Sequence, residues 1–138
     1  MDNLHIKGKH GAFFTPTVNF DASSGECEIL GQSYLENTNV FYKDLLEWMQ
    51  QYLKEIRKPV RLKLFLTYFN TSSSKCIAEL LWMLKDYETA GGDVEVTWHY
   101  EDWDEDMLKE GEDFADETGL DIHFIPEEVS EEEEEEDL

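Results

Sequence analysis

The stretch "VRLKLFLTYF", residues 60–69, constrains this chain more than any other. From Val60, every second residue is apolar: Leu62, Leu64, Leu66 and Tyr68. That is the two-residue period of a β-strand. Arg61 and Lys63 open the second face as polar, but Phe65 and Phe69 make it apolar further on. A strand that is apolar on both faces along part of its length belongs inside a sheet with helices packed against it.

Helical patterns flank this strand. In "ENTNVFYKDLLEWMQQYLKEIRKP", Phe41, Leu45, Trp48, Tyr52 and Ile56 form a stripe, which Leu46, Met49 and Leu53 widen. Asn37, Thr38 or Asn39 can cap this helix. Arg57 and Lys58 suit its C-terminal dipole, and Pro59 stops it. In "SKCIAELLWMLKDYETAGG", Cys76, Ile77, Leu80, Leu81, Leu84 and Tyr87 form the apolar face of a second helix, closed by Gly91-Gly92.

The pattern continues on both sides. Residues 12–20 and "ECEILG" predict a hairpin, with "DASSG" as its turn and Thr15-Pro16 as an edge or a kink. "DVEVTWHY" reads as a strand, "DWDEDMLKEGEDFADETG" as an acidic helix weakened by Gly111, and "LDIHFIP" as a short last strand. The order is ββαβαβαβ, which predicts a single-domain α/β fold with a mixed sheet and packed helices. Residues 1–126 are the expected domain.

Charge is distributed unevenly. The formal net charge is −22. Residues 101–138 hold 20 of the 33 acidic side chains and only Lys109 among the basic ones. Residues 127–138, "EEVSEEEEEEDL", are expected to be a disordered acidic tail, since nothing in them offsets the entropy of ordering. Such a chain repels nucleic acid and anionic membranes, which bind basic patches. No run is long and apolar enough for a membrane span, and the N-terminus lacks a secretory apolar segment. Cys27 and Cys76 match no metal spacing. A cytoplasmic protein without cofactors is the expectation.

Motifs for phosphate-cradling loops, dinucleotide binding and serine hydrolases are absent. His5, His10, His99 and His123 are scattered. A small metal-binding or enzymatic domain would have to use His99, His123 and the carboxylates of 101–106: Glu101, Asp102, Asp104, Glu105 and Asp106. That cluster lacks the glycine and terminal glutamate of a calcium loop, and it also suits a solvated helix start. A third reading is an acidic mimic of nucleic acid. Among aromatic residues, Trp98 reads as core, whereas Tyr34 and Trp103 are interface candidates.

The join after the central strand, "YFNTSSSKC", carries four hydroxyl residues, Thr71 to Ser74. Thr71 or Ser72 can cap the following helix. The carboxyl end of a central strand is also the usual functional rim of an α/β sheet. A phosphate there would meet unpaired N–H groups and the positive end of a helix, with Lys75 one turn on.

"YFNTSSSK", "GQSYLEN" at 31–37 and "VTWHYEDWDEDMLKEGEDF" at 96–114 resemble the SiaC-like family of bacterial biofilm-regulation phosphoproteins. The resemblance spans roughly residues 4–125, with Leu35 where the family often has proline. It implies a fold similar to anti-sigma-factor antagonists of the STAS type. It implies a non-enzymatic switch: Thr71 is phosphorylated, with Ser72 and Ser73 as lesser alternatives. A serine/threonine kinase of the anti-sigma type adds the phosphate and a PP2C-like phosphatase removes it. The unphosphorylated form would bind and activate an effector such as a diguanylate cyclase, raising cyclic di-GMP. Tyr68, Phe69, Asn70, Lys75 and Trp103 are the expected partner-binding residues.

Overall fold

The computed structural model describes residues 1–128. Its elements are β1 (Leu4–Ile6), β2 (Thr17–Phe20), β3 (Glu26–Ser33), α1 (Thr38–Gln51), β4 (Val60–Phe69), α2 (Thr71–Thr89), β5 (Val94–Glu101), α3 (Glu105–Thr118) and β6 (Ile122–Glu127). The six strands form one mixed sheet in simple sequence order. The pairs β1–β2 and β2–β3 are antiparallel, and β3 to β6 run parallel.

Sequential order has a steric consequence. Three right-handed crossovers stepping in one direction place all three helices on one face. Accordingly α1 packs on α2 and α2 on α3. The buried strand residues alternate: Val18 and Phe20, Cys27 and Ile29, Val60, Leu62, Leu64 and Leu66, Val96 and Trp98. Among the described residues, no helix lies over the opposite face. There half-buried Leu30, Phe65, His99 and Ile125 sit side by side in register.

Several sequence expectations shift. β1 is an additional strand, made by Leu4 and Ile6 around exposed His5. It pairs the outer side of β2, so β2 is not an edge, and Pro16 stands just before it. The hairpin turn is as expected, with Gly25 at φ 75°. In α1, Asn37 holds the cap position without a side-chain cap bond. Tyr42, outside the expected stripe, is fully buried, whereas Phe41 is only partly so. The helix winds into a π-helical turn at Tyr52–Ile56 and closes through Arg57 in the left-handed region, φ 57°.

The most consequential change lies in β4. Gly31 pairs with Leu66, but Gln32 pairs with Tyr68, which leaves Thr67 as an extra residue. A β-bulge re-aims the side chains beyond it. Tyr68 therefore leaves the face of Leu62, Leu64 and Leu66 and stands exposed against Tyr34. Phe69 turns inward instead and meets Trp98 and Phe114.

In α3, Asp104 caps by accepting a bond from Met107 N at 3.1 Å, and Gly119 ends the helix at φ 76°. Gly111 is a close-approach residue: a Cβ there would lie 2.6 Å from the Trp98 ring. The last strand continues through Glu127, one residue beyond 126, and Glu127 pairs with Glu101. The rest of the expected tail, residues 129–138, lies outside the described residues.

Candidate functional site

The parallel strands β3, β4 and β5 end on one rim, and α2 starts there. The cap of α2 is Asn70, not Thr71 or Ser72. The Asn70 side chain accepts from Ser73 N at 3.0 Å, and its amide donates to Leu35 O at 3.3 Å. Asn70 N also donates to Ser33 O, which ties the cap to β3. Thr71 is thus the first helical residue, and its hydroxyl is not needed for capping.

The four hydroxyls have separate fates. Ser73 is fully buried. Its Oγ lies 2.7 Å from Ser33 Oγ and 2.6 Å from Asn70 Oδ1, and Ser33 Oγ lies 2.8 Å from Tyr42 OH. Burial pushes the Tyr42 phenol up to about 12, only partly opposed by its bond to Ser33. This network is structural. Ser72 is exposed, but its Oγ lies 2.7 Å from Thr38 Oγ1 and joins the starts of α1 and α2. Ser74 is half-buried. Thr71 alone is exposed and makes no side-chain hydrogen bond among the described residues. Lys75, one turn on, is exposed and has no ion-pair partner among them.

Exposed apolar groups gather on the same rim. Tyr34 follows β3, Val40 sits early in α1, Tyr68 ends β4 and Trp103 follows β5. Phe13 stacks on Tyr34, with ring centroids 5.7 Å apart, and Tyr34 meets Tyr68 at 6.0 Å. Among the described residues, only Met1 and Trp82 are large exposed apolar groups elsewhere. Trp103, 64% exposed, donates to Glu101 Oε2. Of the expected partner-binding residues, Tyr68, Asn70, Lys75 and Trp103 reach the rim surface, whereas Phe69 mostly packs inward. Val40 and Phe13 are exposed apolar residues of the rim that the sequence does not single out. Each lies in a polar or loop-like context whose periodicity carries no signal.

The residues of the metal reading do not converge. His99 Nδ1 lies 2.6 Å from Glu127 Oε1, on the sheet face without helices. His123 is exposed on β6. Glu101 and Asp104 are engaged by Trp103 and by the α3 cap. Among the described residues, no three His, Cys, Asp or Glu side chains are grouped as metal ligands would be. No helix there is long and apolar enough to cross a membrane.

Fold and site define a single α/β domain, with helices on one sheet face, whose strand-end rim presents a free hydroxyl amid exposed aromatics. Residues 6–127 match the SiaC family regulatory phosphoproteins, and the chain belongs to that family. It is 31% identical over 120 residues to an uncharacterised protein of Pseudomonas aeruginosa (strain UCBPP-PA14), covering 87% of this chain and 93% of that one. The crystal structure of apo-SiaC from Pseudomonas aeruginosa matches with a TM-score of 0.83 at 28% identity, over 91% of this chain and 99% of that one. A chain from the structure of diguanylate cyclase SiaD in complex with its activator SiaC, from the same organism, gives 0.84 at 28% identity, over 90% and 99%.

Proposed function

We propose that this chain is a non-enzymatic partner-switching regulator whose switch is reversible phosphorylation of Thr71. One observation carries the reading: of four adjacent hydroxyls, Thr71 alone is exposed and free of side-chain hydrogen bonds among the described residues, and it stands among exposed aromatics. A kinase can approach this hydroxyl without dismantling the cap or the buried Ser33–Ser73–Tyr42 network.

Phosphorylation adds about −1.5 to −2 charges. At the first turn of α2, the dianion faces the positive helix end and backbone N–H groups, so the domain tolerates it. A partner covering the rim does not, because it must desolvate that dianion against apolar groups. Phosphorylation therefore releases the partner, and dephosphorylation restores docking. The activator relation in SiaD–SiaC supports a diguanylate cyclase as the effector. An anti-sigma-type kinase and a PP2C-like phosphatase complete the cycle.

The site assignment is tested by incubating the chain with its kinase and ATP and mapping the product by mass spectrometry. The expected product carries one phosphate on Thr71. Thr71→Ala remains unlabelled, while Ser72→Ala and Ser74→Ala are labelled as well as wild type. Full labelling of Thr71→Ala would overturn the assignment.

A further inference from the structure

The chemistry of the docked partner is legible in the surroundings of the rim. Between the end of β4 and the first turns of α3 lies a groove of about 280 Å³. Thr67, Tyr68, Phe69 and Met107 line it together with the carboxylates of Asp104, Asp106 and Glu110. Asp106 and Glu110 are exposed and four residues apart on one helix, so they repel one another. Neither is in an ion pair among the described residues, where the one ion pair on α3 joins Lys109 and Asp113. At the far end of the aromatic run the charge reverses: exposed Lys9 precedes Phe13, and the ring of His10 packs edge-on against Phe14. The rim is therefore polarised, acidic over α3, aromatic in the middle and basic by Phe13.

We propose that the partner docks through a segment whose arginine or lysine enters this groove, while adjacent aliphatic side chains cover Tyr68, Tyr34 and Phe13. The proposal rests on the rim being the docking surface and names what it takes. The groove suits a long cationic side chain on three counts. Phe69 and Met107 can cover an aliphatic stem, the ring of Tyr68 can face the cation, and the carboxylates of Asp106 and Glu110 neutralise it. The cation also relieves the repulsion between the two carboxylates. Polarity fixes the direction: the basic end of the segment lies over α3, away from Lys9. Charge sets how fast and how salt-sensitively the segment docks, while the desolvation of phosphothreonine sets whether it stays.

The probe is a blocked peptide of two leucines followed by two arginines, compared with a twin carrying citrulline for arginine. Each is titrated into the full ¹⁵N-labelled chain and followed by NMR. The arginine peptide is expected to shift the amides of 67–69 and 104–110, and the citrulline twin to bind more weakly. Asp106→Asn with Glu110→Gln weakens the arginine peptide roughly fivefold; Asp104 is kept because it caps α3. Shifts confined to the acidic residues 129–138, equal binding of the twins, or undiminished binding by the double variant would each overturn the proposal. The two readings fail separately. If the unmodified chain binds the peptide but the kinase leaves Thr71 unlabelled, the groove stands and the switch falls. If the kinase labels Thr71 but the unmodified chain does not bind the peptide, the switch stands and the groove falls.

Discussion

At the residue scale, the hydroxyls around Asn70 divide into those bonded within the fold and the exposed one of Thr71. Thr71→Ala removes an exposed hydroxyl with no side-chain partner among the described residues, so stability changes by no more than about 0.5 kcal/mol. Asn70→Ala loses the cap bond to Ser73 N and the bond to Leu35 O, and costs about 1–2 kcal/mol. Ser73→Ala opens the buried network to Ser33 and Tyr42 and costs about 1–3 kcal/mol. Urea unfolding of the three variants checks this order; Thr71→Ala as damaging as Asn70→Ala would contradict it. The sequence places a cap and a hydroxyl run at the strand-to-helix join. It does not say which residue is the first helical one, because the Thr67 bulge decides where β4 lets go. Only with that register known does Asn70 become the cap and Thr71 the free hydroxyl.

Among elements, the three helices and four later strands are legible because each repeats its apolar period over enough residues. β1 has three residues, too few for alternation to register. β4 shows the opposite failure: its alternation is strong, yet one extra residue at Thr67 moves Tyr68 to the surface and Phe69 into the core. A bulge breaks the period without changing composition. Gly111 reads as a weak point in α3, but it is the seat of the Trp98 ring, whose Nε1 donates to Met107 O on the same helix. Gly111→Ala improves helix propensity and still destabilises the fold by about 1–3 kcal/mol, through overpacking against Trp98. Thermal denaturation followed by tryptophan fluorescence checks this. A raised melting temperature would show that propensity outweighs packing here.

For the whole molecule, burial sets the alkaline limit of the fold. Desolvation pushes the Cys27 thiol, ordinarily near 9.0, and the Tyr42 phenol, ordinarily near 10.0, each up to about 12. As pH rises past 9, the unfolded chain loses these protons while the native chain keeps them. The contribution of these two groups to stability is therefore full below pH 9 and is lost between 9 and about 12. Tyr42→Phe removes the phenol's share of that slope, which urea midpoints at pH 8 and pH 11 measure. The proposed function rests at this scale on asymmetry. Helices cover one sheet face, and the rim where α2 starts is left aromatic and bears a free hydroxyl. The most direct measurement is the affinity of a SiaD-type diguanylate cyclase for the unmodified chain and for the chain phosphorylated at Thr71 alone. Unmodified chain is expected to bind and phosphorylated chain to bind about tenfold or more weakly. Equal affinities would contradict the account.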